Sequence, residues 1–176
     1  MQAIGLMMIE HRLIEKIVPI LEKELERLNQ GGAPDQILIE SAVDFFRTYA
    51  DRTHHGKEED ILFRELKKKQ LDPEYQRIMD ELEAEHVIAR ATVGGLLDSK
   101  EKWVNGDDDS LDKIKKHLFN LIELYPPHIW KEDKNFFLQT RKYFSEEEMA
   151  NLLRESYVFD QNMIHEKYRK VIEALS

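Results

Sequence analysis

A chain of 176 residues is about one domain long and large enough to bury a single core. Its 41% hydrophobic and 35% charged residues, with seven Gly and five Pro, suit a helical globular protein far better than a disordered or all-β one. A formal charge of −9, with basic density limited to Lys67, Lys68 and Lys69, argues against nucleic acid and anionic lipid, and the absence of cysteine excludes disulfides, thiolate metal sites, cysteine nucleophiles and Cys-ligated clusters.

The N-terminus, MQAIGLMMIEH, lacks a basic start and reaches Glu10 and His11 too soon for a signal peptide. No apolar run approaches the roughly 18 residues that a membrane span requires, so a cytoplasmic protein without a membrane partner is the expectation. Apolar residues recur at helical spacing from Ile4 through Met8, Ile14, Val18, Leu21, Leu25 and Leu28, and the helix stops at Asn29-Gln30-Gly31-Gly32. A second helix starts near Asp35, carries Ile39, Val43, Phe46, Ala50, Ile61, Leu62 and Leu66, and breaks at Leu71-Asp72-Pro73. The third carries Ile78, Leu82, Ala89, Val93 and Leu96 or Leu97, and ends before Asn105-Gly106-Asp107-Asp108-Asp109. Ser110 reads as the N-cap of the fourth, which carries Ile114, Leu118, Leu121 and Tyr125 and resumes through Ile129, Phe136 and Phe137 after Pro126-Pro127 kink or break it. Ser145 then caps a last helix with an acidic first turn, running to about Ala174 through Leu152, Leu153, Phe159, Ile164, Tyr168 and Ile172. These elements predict an all-α, antiparallel up-down-up-down four-helix bundle over residues 1–143, with an extra C-terminal helix over 144–176 packed on the same domain. That extension is read as a packing element, a cover for the open end of the bundle or a homodimer face.

The chain carries one pattern twice. His54-His55-Gly56-Lys57-Glu58-Glu59 and His128-Ile129-Trp130-Lys131-Glu132-Asp133 both read H-x-x-K-E-acid, and Glu10-His11 and Glu85-His86 precede their histidines by 43 and 42 residues. A His and a Glu at i and i+4 share one helix face about 6 Å apart along the axis, so both reach one metal cluster. Depth points the same way. From the turn near Gly32, His11 and His54 are 21 and 22 residues away; from Asp72, Glu58 and His86 are each 14; from Asp107, His86 and His128 are each 21. Antiparallel helices then bring four imidazoles and two carboxylates to one level, a nitrogen and oxygen site in which two carboxylates can bridge two first-row metals.

Three histidines stand apart. His55 is about 100° around the helix from His54, which makes it a neighbour of the site or a surface residue, with ligation as the lesser alternative. His117, about 16 Å along the axis from His128, reads as packed or capping, and the role of His165 is open.

In combination Glu10-His11, His54-x-x-x-Glu58, Glu85-His86 and His128-x-x-x-Glu132 resemble the hemerythrin-like (HHE cation-binding) family over about residues 5 to 142. The resemblance implies an antiparallel four-helix bundle holding an oxygen-bridged di-iron centre, with His11 and His54 toward one iron, His86 and His128 toward the other, and Glu58 and Glu132 bridging. Two departures matter. The oxygen-carrying members have a second histidine four residues after the one on the third helix, where this chain has Arg90. They also place the second carboxylate five residues after the fourth-helix histidine, which selects Asp133; the i+4 spacing to Glu132 is more similar to the iron-centre repair proteins and is favoured. Arg90 reads as a solvated residue or, turned inward, as a clamp on a carboxylate.

A missing imidazole implies a more open iron, better suited to reacting with O2, NO or peroxide than to reversible oxygen carriage. Binding or sensing of a small oxidant or of iron is therefore the leading functional reading. The alternatives are a di-iron enzyme or repair factor that reduces a small oxidant or donates iron, and a metal store. No nucleophile triad or phosphate loop decides whether the chain is an enzyme, and zinc or manganese accepts the same donors.

Overall fold

The computed structural model describes the backbone of residues 3–175, and their side chains except at 164, 166 and 168–175. It is all-helical, with no strand among the described residues. Five helical rods follow one another: α1 over residues 3–29, α2 over 36–66, α3 over Pro73–Val104, α4 over 110–143 and α5 over Glu146–Leu175. The expected apolar positions Ile164, Tyr168 and Ile172 lie outside the described side chains.

Local chemistry explains the boundaries. Asp35 accepts the Leu38 amide hydrogen at 3.0 Å and so caps α2. Pro73 opens α3, where a missing N–H costs nothing. Gly31 and Gly106 take positive φ, 88° and 92°, in the turns after α1 and α3. Ser145 is the expected cap of α5, and with Glu148 it forms a reciprocal capping box, Glu148 N to Ser145 Oγ at 3.2 Å and Ser145 N to Glu148 Oε2 at 2.8 Å. Two expectations are corrected. Ser110 is not an N-cap: Asp109 holds that position, and the buried Ser110 donates its hydroxyl to Asp107 Oδ2 at 2.7 Å. Of the kink or break expected at Pro126 and Pro127, the break does not occur: the first α-helical stretch of α4 runs unbroken from Ser110 to Trp130.

Two apolar clusters lie along the rods, and each of the first four passes from one to the other. One cluster takes Ile14, Leu21, Ile39, Phe46, Val93 and Leu121; the other takes Met7, Leu62, Met79, Leu82, Phe136 and Phe137. The change-over comes at residues 10–11 in α1, 54–58 in α2, 86 in α3 and 128–132 in α4, and those positions carry the buried polar residues. α3 packs along α2 and α4, α1 along α4, and α5 lies on α1 and α2. No helix among the described residues is long and apolar enough to cross a membrane.

Candidate metal centre

Both copies of the repeated motif lie where the helix widens. α2 is π-helical over Phe46–His55 and again over Glu58–Phe63, and α4 over Lys131–Phe136. A π turn spends more residues per revolution, so each residue rotates less around the axis; such segments recur at functional sites. Adjacent side chains can then face the same interior.

His11, His54, Glu58, His86, His128 and Glu132 are all buried, and Glu58 and Glu132 are fully so. Ligand-type atoms of His11, His54, Glu58 and Glu132 lie within 4.8 Å of one another, as do those of His55, His86 and His128. The carboxylates divide their oxygens between the two groups. Glu58 Oε1 is 3.1 Å from His54 Nε2 and 4.0 Å from His11 Nε2, while its Oε2 is 3.4 Å from His86 Nε2. Glu132 Oε2 is 3.1 Å from His11 Nε2, while its Oε1 is 3.4 Å from His128 Nε2 and 3.8 Å from His86 Nε2. All four Nε2 atoms and all four carboxylate oxygens are buried without a hydrogen-bond partner. Eight unpaired polar atoms facing one another are costly in a protein interior unless a cation joins them, and the donor set fits a metal site.

The other nitrogen of each ring is held. His11 Nδ1 pairs with Asp133 Oδ1 at 2.8 Å, His54 Nδ1 with Glu10 Oε2 at 2.9 Å, His86 Nδ1 with Glu59 Oε1 at 2.7 Å and His128 Nδ1 with Glu85 Oε2 at 2.7 Å. A carboxylate only accepts, so Nδ1 carries the proton and, in the neutral ring, Nε2 keeps its lone pair for the interior. Each carboxylate is backed by a cation in turn: Asp133 by Arg12, Glu10 by the fully buried Lys57, Glu59 by Arg90 at 2.8 Å and Glu85 by Lys131 at 2.5 Å.

The duplication therefore extends into the supports. Lys57 and Lys131 both brace the glutamate that holds their own helix's histidine, and Glu59 and Asp133 both hold a histidine of another helix. Phe63 and Phe137, each nine residues after His54 or His128, lie parallel to the rings of His86 and His11, with centroids 6.2 and 5.7 Å apart.

Without a cation, protons take its place. Burial disfavours the imidazolium of His11, but its hydrogen bond to Asp133 and the facing Glu132 outweigh it and raise its pKa to about 10. For His86 burial is likewise outweighed, by Glu132 and Glu59, and the pKa rises to about 10. Burial pushes the Glu132 carboxyl up, yet the surrounding imidazoles, His128 foremost among the charges, hold it well below the usual range. His55 behaves oppositely, since burial and the neighbouring charges of His86 and His128 keep it neutral.

The sequence-derived residues are thus brought together, with corrections around them. Glu132, the residue favoured from its spacing, turns into the box, and Asp133 pairs with His11 instead. His55 is not a surface residue: only 2% exposed, it stacks on His86. Arg90 is not simply solvated, because it bridges Asp51, at 2.7 Å, and Glu59. His117 is packed, its ring filling the space a side chain at Gly95 would need, and His165 is exposed. The supporting roles of Glu10, Arg12, Lys57, Glu59, Glu85 and Lys131 went unread, although the repeated Lys, acid and Glu-His positions already marked most of them.

The model of the hemerythrin HHE cation binding domain matches residues 2–140. No curated protein and no solved structure gives a significant match. The family match covers most of the chain and includes every residue of the box and its supports, so this chain belongs to the hemerythrin HHE cation-binding family.

Proposed function

We propose that the chain is a non-haem di-iron protein whose centre, held by His11, His54, Glu58, His86, His128 and Glu132, binds or senses a small oxidant such as O2, NO or peroxide, or iron itself. The observation that carries this reading is the division of both carboxylates: each directs one oxygen toward the His11/His54 group and the other toward the His86/His128 group. That arrangement suits two cations a few ångströms apart better than one. Iron would supply redox chemistry and an exchangeable position for a small ligand; zinc or manganese would fill the same donors.

The protein's own contribution is to fix four imidazoles in the tautomer that presents Nε2, to hold two carboxylates between them, and to keep bulk water away with the Phe63 and Phe137 rings. Successive helices meet the two apolar clusters in opposite order, which supports an antiparallel up-down-up-down bundle over residues 1–143 with 144–176 as an extension of the same domain.

Metal analysis of the protein from its native host tests the centre, with two irons per chain as the expected result. His54→Ala and Glu58→Ala should each lower iron to well under two per chain; unchanged content in both defeats the assignment. A stable visible spectrum on addition of O2, NO or peroxide supports binding. Rapid catalytic loss of the oxidant would favour an enzyme or a repair factor instead.

A further inference from the structure

The lysine that braces each motif glutamate is completed differently in the two halves of the duplication. Lys131, its side chain 23% exposed, pairs with Glu85 at 2.5 Å and Glu81 at 3.4 Å, both on α3 and four residues apart. Lys57 is fully buried and pairs with Glu10 of α1 and, at 2.6 Å, with Asp160 of α5. The residue four before Glu10, where Glu81 stands before Glu85, is Leu6. The second carboxylate of Lys57 thus comes from α5 instead of the bundle, and α5 lies beyond the residues 2–140 that the family model matches.

The sequence makes room for that acid. Gly56 precedes Lys57, and its counterpart before Lys131 is Trp130, 57% exposed. A Cβ at Gly56 would lie 2.8 Å from Phe159 Cζ, so the missing side chain admits Phe159 and brings its neighbour Asp160 to Lys57. Asp160 also stands at the edge of a groove of about 410 Å³, which it lines with Tyr49 and Met163 between α5 and α2. Packing alone asks for no charge there.

Glu10 has two claims on it. One oxygen accepts from His54 Nδ1 at 2.9 Å and the other from the Lys57 ammonium. With Asp160 in place Lys57 divides its charge between two carboxylates, and Glu10 keeps its hold on the His54 N–H. With that position neutral, the whole of a buried ammonium bears on Glu10 and competes with the imidazole for it. Asp160, Lys57 and Glu10 together also carry one net negative charge behind His54, which favours a cation in the box; without the charge of Asp160 the group is neutral.

Resting on the di-metal reading above, we propose that Asp160 is a positioning residue for His54, acting through Lys57 and Glu10, and that α5 is thereby coupled to occupancy of the box. The coupling is reciprocal: what loosens α5 weakens metal binding, and metal binding tightens α5. The helix outside the family's matched region is then a lever on the centre and a readout of it.

Chelator competition with cobalt(II) on the full chain tests the relay. Asp160→Asn keeps the shape and an oxygen for Lys57, and should lower the affinity for one of two ions roughly 10-fold. Glu155→Gln weakens a different tie of α5, the pair of hydrogen bonds from Arg64 at 2.8 and 2.9 Å, which touches neither the box nor its supports, and should leave the affinity unchanged. Affinity unchanged in Asp160→Asn, or lowered alike in both variants, overturns the inference. Amide hydrogen exchange over residues 146–160 reads the reverse direction. Saturating cobalt should slow exchange there in the wild type and in Glu155→Gln, and by clearly less in Asp160→Asn; an equal gain of protection in all three overturns the coupling. Fewer than two cobalt ions per wild-type chain overturns the proposed function and this inference together, whereas two ions held equally well by Asp160→Asn overturn this inference alone.

Discussion

An imidazole whose Nδ1 is tied to a carboxylate has only Nε2 left to give, and the four ties in this protein aim four such atoms at one volume. Removing the charge of a tie while keeping its shape weakens the basicity and orientation of the ring. Glu10→Gln and Glu85→Gln, matched positions in the duplication, should each lower metal affinity roughly 10–100-fold, measured by competition with a chelator. Affinity unchanged in both would show that the ties are only structural. The raised pKa values of His11 and His86, to about 10, give the second expectation at this scale. In the metal-free folded chain both rings stay protonated at neutral pH, so metal binding must release protons, and affinity should climb as pH rises from about 6.5 toward 10. The stability of the metal-free chain runs the other way: a folded-state pKa above the unfolded one gives stabilisation that is complete below the unfolded value and lost as pH rises through the folded one. Calorimetric titration in buffers of different ionisation enthalpy reads the released protons directly; no dependence on buffer would refute the protonated metal-free site. His11, His54, Glu58, His86, His128 and Glu132 were legible from spacing because i, i+4 pairs and distance from a turn are properties of one chain direction. The repeat marked the positions of most supports but not their partners, since Asp133 reaching His11 across 122 residues obeys no local spacing rule.

The elements were legible wherever period and caps agree, as at Asp35, Pro73 and Ser145. They were misread where the helix is not an α-helix. A 100° step places His55 to the side of the box, but the smaller rotation of the π segment Phe46–His55 swings it inward beside His86. Two prolines in sequence read as a kink or a break, yet α4 continues through them without a break and its irregular stretch comes later, at Lys131–Phe136. Gly56, between the two π segments of α2, marks where α5 seats: a Cβ built there would lie 2.8 Å from Phe159 Cζ. In an open helix Gly→Ala stabilises by about 1 kcal/mol, whereas overpacking typically costs about 1–3 kcal/mol. Gly56→Ala should therefore lower stability in urea unfolding by about 1 kcal/mol, and the same change made in a Phe159→Ala background should raise it. A gain in both backgrounds would show that Phe159 gives way without cost and that α5 is not seated on that glycine.

At the scale of the molecule the ties form a closed ring. The histidine of α1 is held from α4, that of α4 from α3, that of α3 from α2 and that of α2 from α1. Lys57 carries the ring outward, since it pairs with both Glu10 and Asp160 of α5, the latter at 2.6 Å. No helix can leave the bundle without breaking a tie on either side of it, and a cation at the centre joins the remaining donors of all four. Metal binding then stabilises the closed bundle as a whole rather than one helix of it. A ligand present at 100 times its Kd stabilises the folded state by about 2.7 kcal/mol per site, if the unfolded chain does not bind it. For a chain of this length each kcal/mol shifts Tm by about 2–4 °C, so removing the metal from a single site should lower Tm by about 5–10 °C, and a second site adds to it. Thermal unfolding followed by circular dichroism before and after chelation, and again after iron is restored, measures this. The unfolding should stay a single transition in both states, with α5 melting together with the bundle because Lys57 links it to the ring. A midpoint indifferent to chelation, in a chain shown to have lost its metal, would mean that the carboxylate ties hold the box closed on their own.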